Sequence, residues 1–429
     1  MEGFCKRDGI GLPLQQIPIL FLLAAFLLLP HGMGFDHPFG LPSLDLPRLA
    51  VLLFYPFAFF AFIQNIRRSK QILMPAPGVQ VCLVFVACWQ VLSALLSASP
   101  KGALLWAVAN LVMLWGLAFF INAMGQFNDF SWHLVSLLKV TGVVLTLLAW
   151  GEWVTQGRIF PFRNTWPDDV VWNTLNLERI YRLSIGPYPD NHYLGVALCI
   201  LSGFLLIDRR RLFLGFLLIG GVLSTGFVTG FVALTMVLIG FLYLSRSKDA
   251  TILLMVFLIS AGTVISLGQP RAGVSSAHTP YAHILSGSDH RGSTVSRIEN
   301  TISVLQQALT HSVFGFGTGA VADPARVPSE LKIWSDIGGL TIHIVESGYI
   351  VGALLIVVLC LSIWRGMRSG DSVSQGGALG LIGFTITQLA TPVIYFWGIA
   401  LIICGLIEHR SHLSACSPPE IVSASGISS

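Results

Sequence analysis

The chain has 429 residues, of which 54% are hydrophobic and only 11% charged. Water-soluble domains carry about 25% charged residues, so a soluble globular enzyme is excluded. The net charge of +4 is spread over 25 basic and 21 acidic residues, which leaves no nucleic-acid footprint.

Long continuous apolar runs, without the alternation of barrel strands, predict an all-α polytopic membrane protein. About twelve spans are expected, at roughly 14–34, 46–64, 79–97, 102–124, 134–152, 192–207, 212–225, 228–244, 250–267, 341–363, 376–390 and 393–407. The first run has Lys6 and Arg7 before it, like a signal peptide. Its far flank, HGMGFDHPFG, lacks a small-x-small cleavage site, so it reads as a span. The stretches 212–244 and 376–407 are too long for one crossing, so each is expected to turn back, at Thr225–Gly226 and at Thr391–Pro392. Arg67, Arg68, Lys70, Arg209 to Arg211, Arg246, Lys248, Arg365 and Arg368 fall on one side, with only Arg48 and Lys101 in the short loops opposite. The excess of basic residues predicts that both termini are cytoplasmic.

The chain thus divides into helices 1–5 (1–152), a first outer loop (153–191), helices 6–9 (192–267), a large outer loop (268–340), and helices 10–12 with a tail (341–429). Both loops mix charges with aromatic residues, a composition uncommon in disordered tails. In the larger one, Ser296 to Leu309 reads as an amphipathic helix, with Ile298, Ile302, Leu305 and Leu309 at helical spacing. Five of the seven cysteines (Cys82, Cys88, Cys199, Cys360 and Cys404) lie in apolar runs and Cys5 and Cys416 near the ends. No disulfide framework is expected in the loops, and no Cys/His spacing suggests a structural zinc.

The candidate chemistry faces outward. Arg182, in RIYRLSIGPYPDNHYLG, and Arg297, at the start of the amphipathic helix, carry planar donor forks suited to phosphate oxygens. The alternative is a local ion pair, Arg179 with Glu178 or Arg297 with Glu299. His343 and Glu346 open the tenth span three residues apart, with Tyr349 three further on, so all three are expected on one helix face. An imidazole or carboxylate there can take a proton from a hydroxyl; the plainer alternative is an interfacial polar residue at a helix end. Deeper in lipid an acid would cost about 2.5–3.5 kcal/mol. The run GFGTG, with Gly315, Gly317 and Gly319, can bring backbone amides to an anion or simply make a tight turn. Asp190 and Asn191 read most simply as the N-cap of the sixth span. His278, His283 and His290 are irregularly spaced, and no metal site is assigned to them.

Three of these stretches together resemble the O-antigen ligase and polymerase superfamily. RLSIGPYPDN is similar to its outward arginine followed by Gly and a Pro-Asn pair opening a span. SRIENTISVLQQALTHSVFGFGTG is similar to its arginine, amphipathic helix and glycine turn, and HIVESGYIVGALLIVVL to the helix that closes its long loop. The resemblance implies a GT-C-like arrangement in the bacterial inner membrane and a metal-independent inverting glycosyltransferase without cofactors. Glycan would pass from undecaprenyl diphosphate to a sugar hydroxyl of another lipid-linked unit on the periplasmic face, for O-antigen or exopolysaccharide. Arg182 and Arg297 would bind the diphosphate, Glu346 or His343 would be the base, and Asn191, Gly317 and Tyr349 would line the substrate. Partners would be the lipid-linked donor and acceptor and the bilayer, with room for a chain-length regulator and a flippase, and no nucleic acid. Two departures stand out. Ligases usually show His-Asn where this chain has Glu346–Ser347, which favours a polymerase, with the ligase of lipid A-core as the alternative. The turn LSTGFVTG lacks the family's Ser-Arg, which leaves one phosphate contact unassigned. A lipid-linked oligosaccharide transporter is the reading from another class, but such proteins carry charges deep in several spans. Here Lys139 and Glu152 lie near the ends of the fifth, and the charges gather in the outer loops.

Overall fold

A computed structural model describes residues 16–30, 34–35, 44–69, 75–124, 128–155, 159, 169–174, 177–182, 184, 186–188, 191–208, 210–267, 301–306, 313–321, 337–391 and 393–416. Its helices are α1 (Ile17–Leu28), α2 (Leu46–Ser69), α3 (Pro77–Leu95), α4 (Pro100–Asn110), α5 (Leu117–Met124), α6 (Asn128–Thr155), α7 (Asn191–Leu206), α8 (Arg211–Ser224), α9 (Val228–Ser245), α10 (Lys248–Leu267), α11 (Gly339–Ser347), α12 (Tyr349–Arg368), α13 (Ser372–Ala390) and α14 (Trp397–Cys416). A π-helical turn, Leu111–Gly116, joins α4 to α5. Six of these segments are long and apolar enough to cross a membrane: Leu46–Gln64, Pro77–Leu95, Pro100–Met124, Phe130–Thr155, Val228–Ser245 and Tyr349–Arg368. The protein is a multi-pass helical membrane protein.

Helix α7 sits at the centre. From Leu194 to Leu206 every side is buried, as expected for a helix apolar all round. Its packing on α13 is backbone against backbone. A Cβ on Gly203 would fall 1.9 Å from the Gly376 carbonyl oxygen, and one on Gly380 would fall 2.1 Å from that of Ile200. Small residues are what allow helices in lipid to approach this closely, because dispersion rather than water exclusion holds them.

Charged side chains tie one end of the bundle. Lys139 pairs with Asp208, Arg211 Nε lies 2.9 Å from Asp249, and Arg410 reaches Asp371 at 3.1 Å while lying over the Trp132 ring. Glu408 is 5% exposed and accepts from the amides of Gly78 and Val79, both at 2.9 Å. Pro77 has no N–H, so these are the first free donors of α3.

Several expectations need correcting. The tenth span is not continuous: it breaks at Gly348, with φ 82 and ψ 168, into α11 and α12. The first helix is shorter than expected, 17–28 rather than 14–34. The fifth starts earlier, at Asn128, and the last begins at Trp397 and runs to Cys416. Two antiparallel strand pairs also occur, Gly34–Phe35 with Leu44–Asp45 and Asp169–Thr174 with Leu177–Arg182. The second lies in the long segment between α6 and α7, where no strand was expected. Within the amphipathic segment the structure describes 301–306, which is helical. There Val304 is buried, against Ile337, Ile342 and Val345, while Ile302 is 51% exposed. The covered face is therefore not the one marked by Ile302. Residues Ile298 and Leu309 lie outside the described residues.

Candidate active site

The end of the bundle opposite the ion pairs is built from two clamped segments. The first surrounds the break between α11 and α12. A helix end leaves its last carbonyls without partners, and in lipid such groups must be satisfied by protein. All four at the end of α11 are. The Ile344 carbonyl accepts from the Gly348 amide, that of Val345 from Phe316, and that of Glu346 from Gly317, at 2.8, 2.9 and 2.9 Å. The Glu346 carbonyl also accepts from Ser93 Oγ at 2.8 Å, and the Ser347 carbonyl from Trp89 Nε1 at 2.8 Å. The GFGTG turn and α3 thus terminate α11 between them.

The glycines of the turn are required by this closeness. Gly315, at φ 74, leaves only 2.6 Å between its own missing Cβ and the backbone of Glu346 and Gly348. Gly317 has its amide committed to Glu346, so it shapes the site by holding the helix break. That amide is not offered to an anion.

The second segment follows Arg182. Ser184 donates through N to the Ser224 carbonyl at 3.0 Å and through Oγ to that of Ala149 at 2.7 Å. The Gly186 amide donates to the buried carboxylate of Glu152 at 2.7 Å. Tyr188 donates to the Leu27 carbonyl at 2.9 Å, and burial pushes its phenol far above the usual range, so it stays a donor. Asn191 opens α7, but its Nδ2 donates to the Thr225 carbonyl at 2.8 Å. Its side chain therefore braces the α8–α9 turn; Asp190, the other half of the expected cap, lies outside the described residues.

The turn from α13 to α14 joins the two segments. Phe396 packs on Tyr188, ring centroids 5.5 Å apart, and the next residue, Trp397, packs on His343 at 5.2 Å. Two consecutive residues thereby connect the stretch after Arg182 with α11.

His343 is fully buried and Glu346 is 4% exposed. Tyr349 is 40% exposed, and it begins α12 beyond the break, so the helical spacing that would align it with Glu346 is interrupted. Arg182 ends its strand opposite Asp169; that hairpin is described by its backbone. Arg297, with His278, His283 and His290, lies outside the described residues.

Residues the sequence reading missed are Trp89, Ser93, Gln90, Trp115, Gln388 and Trp397, which surround α11. Gln90 and Gln388 carried a usable signal, since each is an isolated amide in an apolar span. Compared with known proteins, the chain matches no family model and no curated protein.

Proposed function

We propose that this protein is a polymerase of lipid-linked oligosaccharide repeat units, a member of the O-antigen ligase and polymerase superfamily. It has twelve crossings of the bacterial inner membrane, both termini in the cytoplasm and its site on the periplasmic face. A hydroxyl oxygen of the acceptor unit attacks the anomeric carbon of the donor. The bond from that carbon to undecaprenyl diphosphate breaks, and the diphosphate leaves with the electron pair. Glu346 takes the hydroxyl proton, and Arg182 and Arg297 bind the diphosphate and offset its growing charge.

The observation that carries the reading is the joining of the post-Arg182 segment to α11 through Phe396 and Trp397. Stretches some 160 residues apart in sequence, each matching one part of the family pattern, meet at one end of the bundle. The experiment is a gene deletion with analysis of lipid-linked glycans. Single repeats should accumulate, on lipid or capping an acceptor. Long polymer retained on undecaprenyl diphosphate, with none on lipid A-core, would assign the ligase reaction instead. Unchanged glycans would remove both.

A further inference from the structure

Around His343 lies a cluster of buried polar groups that the transfer step does not use. Trp115 Nε1 donates to Gln90 Oε1 at 2.7 Å, and Trp397 Nε1 donates to Gln388 Oε1 at 3.0 Å. An indole N–H can only donate, so the atom facing it must be the amide oxygen, and both amides have a fixed orientation. The same two indoles flank His343, with ring centroids 5.5 and 5.2 Å away. Gln388 also abuts the first turn of α11, because a Cβ on Gly339 would lie 2.1 Å from its Oε1. His343 is 0% exposed and both glutamines 1%. Among the described residues, neither imidazole nitrogen and neither amide nitrogen has a hydrogen-bond partner.

These three side chains cannot satisfy one another. Two amide groups and one imidazole N–H face at most a single imidazole lone pair, and protonating the ring would remove even that. Leaving such donors unpaired in a protein interior costs about 1–3 kcal/mol each. What fits is an oxygen that accepts from the amides and donates to the ring. An anion would also accept, but Glu346 stands one helical turn away and its charge opposes one.

We propose that Gln90, His343 and Gln388 form a buried site for one neutral hydroxyl oxygen, held between the indoles of Trp115 and Trp397. That oxygen belongs to a water molecule or to a hydroxyl of a saccharide. The water source stands without the transfer reading; the saccharide source rests on it and would make these residues part of acceptor recognition.

The test is a structure of the full chain in lipid nanodiscs, at a resolution that shows ordered waters, with and without an added methyl hexoside. An oxygen should appear within hydrogen-bond distance of a His343 nitrogen and both amides. Gln90→Met and Gln388→Met, which keep side-chain length, should each lose it. Replacement of the peak by a sugar hydroxyl identifies the saccharide source, and an unchanged peak identifies water. The proposal is overturned if the site shows no oxygen while other internal waters are visible, or if the three side chains are found bonded to protein atoms. Should a methionine variant not fold, selectively 15N-labelled histidine in the intact chain provides a second readout. Exchange of the His343 ring proton with water or sugar hydroxyl protons is expected, and no exchange overturns the site. Absence of this oxygen from the unaltered chain, with single repeats accumulating in the deletion strain, rejects the site alone; unchanged glycans in the deletion strain, with the oxygen present, reject the transfer reading alone.

Discussion

The amide of Gly317 donates to the carbonyl oxygen of Glu346 across 2.9 Å, so a turn in the larger loop holds the residue assigned as base. The backbone around the break is equally tight. Gly348 occupies φ 82 and ψ 168, a region open almost only to glycine, and a Cβ there would fall 1.8 Å from the Val313 carbonyl oxygen. Gly348→Ala and Gly315→Ala should each lose stability by about 1–3 kcal/mol from backbone strain alone, read as a lower melting temperature in detergent. Gly370→Ala is the control, since nothing lies within 4 Å of its Cβ position. Equal melting of all three variants would mean that the break is not held as described.

Glu408 is the matching lock at the other end. Its carboxylate caps α3 through Gly78 and Val79, where the positive end of the helix favours a negative charge. Glu408→Ala leaves two amide donors without their acceptor, that of Val79 buried, and should cost about 1–3 kcal/mol. Glu408→Gln keeps one acceptor oxygen and should cost less. Arg365→Ala should cost less still, because that guanidinium is 3.9 Å from the carboxylate and half exposed. The order of the three melting temperatures checks the argument; an Arg365 variant as damaged as Glu408→Ala contradicts it.

The helices were legible because length and apolarity are written directly into the chain, and both tight turns, at Thr225 and Thr391, were placed by the same criterion. The break at Gly348 was not. GYIVG directly follows Glu346–Ser347 and opens an apolar run, and only the carbonyl partners supplied by Trp89, Ser93, Phe316 and Gly317, distant in sequence, reveal why the helix can stop there. The bond from Asn191 to the Thr225 carbonyl was hidden for a similar reason, since its partner lies 34 residues away in sequence. In the 301–306 helix the covered side is centred on Thr301 and Val304, with Leu305 partly covered and Ile302 exposed. Alternating apolar residues there admit two faces, and packing on Ile337, Ile342 and Val345 decides for Val304.

Sidedness is open to a direct test. Reporter fusions after residues 170 and 310 should report the periplasm, and fusions after 210 and 370 the cytoplasm, as the distribution of basic residues requires. A cytoplasmic signal at 310 would separate Arg297 from the periplasmic substrate and end the catalytic reading together with the topology.

The two arginines distinguish chemistry from folding. If Arg182 and Arg297 bind the diphosphate, Arg→Ala at either should lower transfer by about 100–1,000-fold, the usual loss when a donor to developing charge is removed. Insertion and abundance should hold, because both lie outside the apolar runs of the sequence that cross the bilayer. Arg→Lys should recover only part of the activity, since an ammonium keeps the charge without the two-pronged geometry. Glu346→Gln should stop transfer while the lipid-linked donor still binds, because it removes the proton acceptor and leaves the diphosphate contacts in place. His343→Ala complicates a simple comparison, since it also opens space between Trp115 and Trp397, so abundance must be measured beside activity. Full activity of Glu346→Gln with a stable but inactive His343 variant would move the base one turn back along α11. If both alanine variants of the arginines stay active, the diphosphate is bound elsewhere and the mechanism fails.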